Sequence, residues 1–286
     1  MNSSNIELSI IIPAKNEAVS LVSLLPELKG LYPLAEIITV NDGSTDGTSE
    51  ICRKFGVREI KHNYSMGNGA AVKSGARAAN GDMIVFMDGD GQHRAADIAL
   101  LLEKYREGYD MVVGCRNRAS QASVLRFVAN KIYNALASWM VGQDVKDLTS
   151  GFRIVNAERF QEFLYLLPNG FSYPTTSTMA FFRAGYSICY QKVSVKQREG
   201  KSHIRLFRDG AKFVLIIFKV GTLYSPLKLF SVIGGALFSS GLAYYLFTYF
   251  SAGRFTNMGM LLLLSSVIVF LVGLLSEQVS TLFYKK

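Results

Sequence analysis

Two aspartates one residue apart stand at the end of an apolar run. In the stretch Val85 to His93, VFMDGDGQH, the residues Met83 to Phe86 lead through Met87 into Asp88-Gly89-Asp90, then Gln92 and His93. This reads as a buried strand ending in a polar turn. Two carboxylates separated by a glycine can both reach one hard cation. An ion such as Mg²⁺ takes oxygen ligands and usually shares them with a substrate's phosphates. Asp and Gly are also ordinary turn residues, so the metal reading depends on what surrounds the cluster. The histidines His62, His93 and His203 have no spacing that makes a Ser-His-Asp or metal triad. Gly67-Asn68-Gly69 is not followed by the Gly-Lys-Ser/Thr of a phosphate-binding loop, and Gly200-Lys201-Ser202 lacks the glycine five residues earlier, which rejects a P-loop ATPase.

The elements that must hold these residues alternate. Leu8 to Ile12 is an apolar run closed by Pro13, and Glu36 to Val40 is a second, closed by NDGSTDGT. Between them Leu21, Leu24, Leu25 and Leu28 mark one helical face, with Asn16 as the expected cap. Asp46 is the expected cap of the next helix. Val57 to Ile60 gives a third strand, Gly67 opens a helix through Ala79, Ile98 to Tyr105 is helical, and Met111 to Val113 is a strand. Strands alternating with helices predict a layered α/β fold with a mostly parallel sheet. Ligands of such sheets bind outside the carboxyl ends of the strands. Pro13 to Glu17, Asn41 to Asp46 and Asp88 to His93 all follow strands, so they are expected to converge on one crevice. Farther on, Val124 to Val141 is helical, Asp147 to Arg153 is a polar loop running into a strand, and Ser187 to Val195 alternates as a strand.

After Val195 the character changes. Lys196, Arg198, Lys201, Arg205, Arg208, Lys212 and Lys219 are interleaved with Phe207, Phe213, Leu215, Ile216 and Phe218, a pattern that suits an anionic membrane surface. Leu229–Phe250 and Asn257–Ser276 contain no charged residue. At about 22 and about 20 residues each can cross a hydrocarbon core as a helix. Their glycines and serines suit helix packing in lipid and would permit a homo-oligomer. Only Arg254 lies between them, whereas the basic segment and Lys285-Lys286 flank them. The positive-inside rule then puts both termini in the cytoplasm. The predicted organisation is a domain over 1–200, an amphipathic juxtamembrane segment over 201–226 and a transmembrane hairpin over 227–286, with helices at about 229–250 and 257–280.

Composition agrees. The 286 residues allow one ordinary domain plus an appendage. The apolar fraction of 49% is high for a wholly soluble protein, and the excess sits near the C-terminus. The net charge of +9 suits phosphorylated substrates, anionic lipid or nucleic acid. The basic residues gather beside the apolar hairpin and do not form an aromatic-studded stripe, so nucleic acid is not expected. Cys52, Cys115 and Cys189 show no zinc or disulfide spacing, which fits a reducing compartment. The N-terminus, MNSSNIELSIII, has neither a basic region nor a long apolar one, so no signal peptide is expected.

Seven motifs in order, IIPAKNEA, VNDGSTDGT, GNGAAVKSGARAANGD, FMDGDGQH, GCRNR, DLTSGFR and GKSHIR, resemble the family 2 glycosyltransferases of GT-A fold. More narrowly they are similar to the polyprenyl-phosphate sugar synthases, typified by dolichol-phosphate mannose synthase. The resemblance covers the predicted soluble portion and reaches the tail, because several members end in a similar transmembrane pair. It implies a Rossmann-like GT-A domain, amphipathic interfacial helices and a two-helix hairpin in an integral membrane protein whose catalytic domain faces the cytoplasm. It implies inverting, metal-dependent transfer of a hexose from a nucleotide sugar, of GDP-mannose or UDP-glucose type, to a dolichyl or undecaprenyl phosphate.

The implied residues follow the motifs. Pro13, Ala14, Asn16, Glu17 and Asp42 would hold the nucleoside. Asp88 and Asp90 match the family's DXD pair and, with Gln92, would hold Mg²⁺ or Mn²⁺ against the donor. Arg116, Arg126, Asn130, Ser150 and Arg153 would fix the acceptor phosphate; Asp90, Arg116 and Arg153 are the expected catalytic residues. Arg198 and Lys201 would reach the donor diphosphate. Asp147 is read as structural or orienting. The chain departs from the family at His203, where lysine is usual, at Asn41, where the first Asp is usual, and at Thr175 to Phe182, where relatives often carry a glutamate. The alternatives are a transferase with another lipid or glycan acceptor, and a non-catalytic membrane-anchored subunit that binds nucleotide sugar. Processive relatives carry a Gln-x-x-Arg-Trp element, and Trp139, the single tryptophan, has no such context.

Overall fold

The computed structural model describes residues 6–116, 124–170, 172–194, 218 and 221–283, with the backbone alone for 116, 124–130 and 283. Two compact units are present, Met1–Ser138 with Gln143–His203, and Trp139–Gly142 with Ile204–Lys286.

In the first unit the described residues form one seven-stranded sheet. Its strands are β1 (Leu8–Ala14), β2 (Glu36–Asn41), β3 (Arg58–Lys61), β4 (Met83–Phe86), β5 (Met111–Arg116), β6 (Arg153–Asn156) and β7 (Ile188–Val193), in the order β3-β2-β1-β4-β6-β5-β7. Its helices are α1 (Ala18–Leu31), α2 (Thr48–Lys54), α3 (Asn68–Ala78), α4 (Asp97–Arg106), α5 (Val124–Val141, which ends in the second unit), α6 (Ala157–Gln161) and α7 (Tyr173–Arg183). The expected α/β alternation is present. The strands β1 to β4 are parallel, while β6 runs antiparallel to both β4 and β5. Phe86, the last residue of β4, pairs with Arg153, the first of β6, and Arg116 of β5 pairs with Val193 of β7. One edge of the sheet therefore collects the carboxyl ends of six strands and the beginning of β6.

The core forms on the faces of this sheet. Ile10 and Ile12 of β1 and Val85 of β4 pack with Leu21, Leu24, Leu25 and Leu28 of α1 and with Ile98 and Leu101 of α4. The four leucines are the helical face read from the sequence, and each buried Leu contributes about 1.5–3 kcal/mol. Strand β1 runs past the expected stop at Pro13 as far as Ala14. Proline is tolerated there because it lies past Ile11, where the register with β4 ends.

The second unit carries α8 (Pro226–Ala252) and α9 (Asn257–Phe283), each of 27 residues. Both are long and apolar enough to cross a membrane. Their buried positions are small or polar, among them Gly234, Gly241, Thr248 and Ser266, while Phe250 and Leu261 are exposed. A side chain at Gly273 would come within 2.6 Å of Phe230 Cβ, so the helices approach closely at glycine.

Candidate functional site

One side of the edge is built by the turns after β1, β2 and β3. Asn16 lies in left-handed backbone, φ 57°, and is not the cap of α1; that position falls on Glu17. Asn16 instead staples two turns. Its Oδ1 accepts the Thr45 N–H (2.8 Å), and its own N–H donates to Ser44 Oγ (3.0 Å). Asparagine tolerates this backbone region better than most residues. Gly47 holds the cap position of α2, yet Asp46 serves both helix beginnings, accepting from Ala18 N (3.1 Å) and from Thr48 N (3.1 Å) and Oγ1 (2.5 Å). Burial pulls the Asp46 carboxyl upward, but these donors hold it below its ordinary value. Pro13 is half-buried and Ala14 is buried; Glu17 is half-buried at the same rim. Lys15 is exposed and donates to Ser65 Oγ (3.0 Å).

Asp42 was expected to face a nucleoside, and the structure turns its carboxylate inward. Oδ1 takes the His62 Nδ1 (2.8 Å) and Met66 N–H (2.8 Å); Oδ2 takes the Ser65 hydroxyl (2.8 Å) and Gly67 N–H (2.9 Å). Burial alone would raise its pKa. The ring, amides and hydroxyl outweigh that and hold it at about 2, below the ordinary 3.8. Asn41 is fully buried as well, donating to Ser49 Oγ (3.0 Å) and Glu59 Oε1 (2.8 Å). His62 Nε2 meets Ser74 Oγ at 2.9 Å. An Asp-His-Ser line is thus present, which residue spacing did not suggest. The first amides of α3 are used within the protein: Gly69 N–H donates to Gly170 O (3.2 Å) and Ala70 N–H to Asn169 O (3.0 Å). Those two amides are therefore committed to the 169–170 backbone.

At the end of β4 the backbone stays close to β1, with Met87 N–H on Ile11 O (3.1 Å) and Gly89 N–H on Pro13 O (3.2 Å). Asp88, Asp90 and Gln92 are half-buried beyond this point. Asp90 Oδ1 accepts the Gln92 N–H (3.1 Å). Asp88 lies against Gly151, where an added Cβ would meet its Oδ2 at 3.1 Å. His93 stacks on Phe152 with ring centroids 4.6 Å apart. Among the described residues no three His, Cys, Asp or Glu side chains gather closely enough to cage a metal. Two carboxylates and an amide oxygen fit a hard ion that completes its shell with substrate phosphates and water.

Across from β4, the loop before β6 carries the other candidates. Arg153 was expected to meet a substrate phosphate, but its side chain is wholly buried. Its guanidinium donates to Pro174 O (3.1 Å), Ser177 Oγ (2.9 Å), Thr178 Oγ1 (3.0 Å) and, closer still, Ser150 O. Burial pushes its pKa down, and Tyr173, Tyr190, Asp147 and Asp88 push back. The hydroxyl-rich run in α7 therefore cradles a buried cation. The Ser150 hydroxyl, also proposed for the acceptor, donates to Gly114 O (2.6 Å). Asp147 is buried and accepts from Thr149 N (3.2 Å) and Oγ1 (3.1 Å), in keeping with an orienting role. Tyr173 is buried beside Asp88 and Arg153, and burial followed by the Asp88 charge raises its pKa. Arg116 ends β5 on the same sheet edge, and Arg126 and Asn130 lie four apart on α5. Their side chains, and the whole of Arg198 and Lys201, lie outside the described residues.

The structure thus brings Pro13 to Glu17, Asp42, Asp88 to Gln92, Ser150, Arg153 and the end of β5 to one edge, as the strand pattern required. Sequence reasoning gave no individual role to Lys15, Ser44, Thr45 and Ser65, which form the rim, to Gly151, which lies against Asp88, or to Tyr173, whose hydroxyl also borders Gly151. Lys15 and Gly151 sit inside motifs already singled out; Ser65 and Tyr173 carry no local signal.

The family described as glycosyl transferase family 2 matches residues 9–164. A second family, the GtrB C-terminal hairpin, matches residues 225–282. The glycosyltransferase AglJ of Haloferax volcanii is 28% identical over 83% of this chain and 80% of its own length. The dolichyl-phosphate hexose transferase of the same organism is 28% identical over 75% of this chain and 93% of its own. The solved structure of glucosyl-3-phosphoglycerate synthase from Mycobacterium tuberculosis, in complex with Mn²⁺, UDP and glucosyl-3-phosphoglycerate, superposes with a TM-score of 0.61. It is 20% identical, covers 76% of this chain and 80% of that one, and so shares the fold.

Proposed function

The chain belongs to glycosyl transferase family 2, and from that premise we propose that it transfers a hexose from a nucleotide sugar, of GDP-mannose or UDP-glucose type, to a dolichyl or undecaprenyl phosphate. The observation that carries the reading is the sheet edge: the β4 carboxylates, the turns after β1, β2 and β3 and the β5–β6 ends meet there, in a chain whose tail matches the GtrB hairpin. The relative named as a dolichyl-phosphate hexose transferase supports the acceptor class.

The reaction is a displacement at the anomeric carbon. The bond to the donor diphosphate breaks as a bond to an acceptor phosphate oxygen forms on the opposite face, and the electron pair leaves with the nucleoside diphosphate. The acceptor phosphate is already anionic, so it needs positioning more than a general base. Asp88 and Asp90, with Gln92, would hold a divalent ion, Mg²⁺ or Mn²⁺, which when bound would supply positive charge against the leaving diphosphate. Pro13, Ala14, Asn16, Glu17 and the loop gathered by Asp42 frame the nucleoside. Arg116, Arg126 and Asn130 fix the acceptor phosphate, with the buried Arg153 and Ser150 bracing the loop before β6. Arg198 and Lys201 reach the diphosphate. Helices α8 and α9 cross the bilayer, and the basic flanks put the catalytic domain in the cytoplasm.

The test is a panel of purified full-length protein with Mg²⁺ or Mn²⁺, dolichyl or undecaprenyl phosphate, and GDP-mannose, UDP-glucose, UDP-galactose and UDP-GlcNAc in parallel. The expected product is an organic-extractable lipid from which mild acid releases the sugar. Transfer only to a glycan or to a lipid hydroxyl, giving an acid-stable product, would overturn the acceptor assignment.

A further inference from the structure

The Asp42–His62–Ser74 line has the order of a hydrolase relay, but its setting is wrong for one. Ser74 lies in the middle of α3, where the neighbouring amides are committed to the helix and cannot serve an oxyanion. What the line does is mechanical. His62 follows β3, and its N–H is already fixed on Asn41 O (2.9 Å). Its ring joins the end of β2, through Asp42, to α3, through Ser74 (2.8 and 2.9 Å). His62 is buried, so the ring has little room to leave this geometry.

The joined carboxylate then shapes the loop beyond it. Asp42 collects the Ser65 hydroxyl and the Met66 and Gly67 amides. The β2 turn presses on this loop at Gly43, φ 68°, where an added Cβ would stand 2.7 Å from Ser65 N. Ser65 in turn receives Lys15 from the β1 turn. One buried ring thereby sets three turns, whose outer faces are Lys15, Tyr64, Ser65 and Met66, all exposed. An aromatic ring and a thioether on one fixed loop, with an ammonium on the neighbouring turn, suit the base and phosphates of a nucleoside diphosphate.

We propose that His62 is a positioning residue for donor binding: it holds Asp42, and through Asp42 the 64–67 loop, in the shape that a nucleoside diphosphate meets. The ligand in this proposal rests on the donor reading above; the mechanics do not.

Full-length protein in lipid nanodiscs is compared as wild type, His62→Ala and His62→Asn, by amide hydrogen exchange and by titration with UDP and with GDP in the presence of Mn²⁺. The Asn amide nitrogen can replace the Nδ1 donor to Asp42 while losing Ser74. In His62→Ala, exchange at Met66 and Gly67 should rise about tenfold or more while α1 and α4 keep their protection. The nucleotide dissociation constant should rise about tenfold, and turnover at saturating donor should change less than about twofold, because uniform binding is what is lost. His62→Asn should recover most of both effects. Unchanged exchange at 66 and 67 would overturn the proposal, as would raised exchange with unaltered nucleotide affinity, or an Asn variant no better than Ala. If wild type binds neither UDP nor GDP, the donor reading and the donor half of this proposal fall together, and the exchange data alone decide the positioning half.

Discussion

Three aspartates share the sheet edge and are used in opposite ways. Asp42 has four internal donors and Asp46 three, so their charges are absorbed in building turns. Among the described residues Asp90 has the Gln92 amide alone. The rim side of the edge is therefore finished before any ligand arrives. The β4 side keeps a half-buried carboxylate with capacity for an external cation. A preorganised rim beside an open carboxylate is what a transferase needs if the rim selects and the carboxylate holds a cation against the leaving group.

The comparison breaks first at Asp90. Asp90→Ala should lower transfer by about 10³-fold or more, on the scale of losing a main electrostatic stabiliser. Its unfolding free energy should move by less than about 0.5 kcal/mol, because little internal structure depends on that side chain. Steady-state transfer and a denaturant melt measure the two. Near wild-type rates would mean that transfer does not depend on the open carboxylate.

Arg153 sharpens the contrast from below. Arg153→Met keeps much of the volume but strands the carbonyls of Ser150 and Pro174, the two hydroxyls of α7 and the nearby Asp147 and Asp88 charges. Breaking a buried charge network of this kind costs about 3–5 kcal/mol, read as a lowered midpoint of unfolding. If Arg153 touched the acceptor instead, the acceptor KM would rise with stability unchanged.

Arg153 also marks where the sequence stops being readable. The alternation of strands and helices, the leucine face of α1, the convergence of the polar clusters and the apolar tail all follow from periodicity and composition. An arginine in a polar loop reads as surface-seeking. It is buried because Ser177 and Thr178 supply acceptors from a helix more than twenty residues away, and hydroxyls carry no charge to announce the pairing. The antiparallel course of β6 is hidden for a similar reason: direction is a tertiary choice, absent from a four-residue strand. Asn16 shows the limit at shorter range, since the residue types that cap helices also tolerate left-handed backbone.

Asp42 predicts how the rim fails in acid. Its folded pKa of about 2 lies below its ordinary 3.8, so its contribution is fully present above pH 4 and is lost as pH falls from there toward 2. That contribution is on the order of 2 kcal/mol. Asp42→Asn should remove the part of the pH dependence of stability that lies in this window, leaving the variant less stable than wild type at neutral pH and nearly equal to it at pH 2. A wild-type acid profile in the variant would mean that other carboxylates carry the transition and that the rim is not held by this charge.

The smallest expected effect belongs to Lys15, the rim's exposed cation. Its ammonium rests on Ser65 Oγ and has water around it, so any attraction for a donor diphosphate is screened. Lys15→Gln should raise the donor KM by about threefold at low ionic strength, and the difference should vanish near about 0.5 M salt, where the Debye length shrinks to a few ångströms. Turnover should hold, because the amide still reaches Ser65 and the loop keeps its shape. A loss as deep as that of Asp90→Ala, or one that salt leaves untouched, would place Lys15 in the reaction itself. The edge would then have no division between a finished side and an open one.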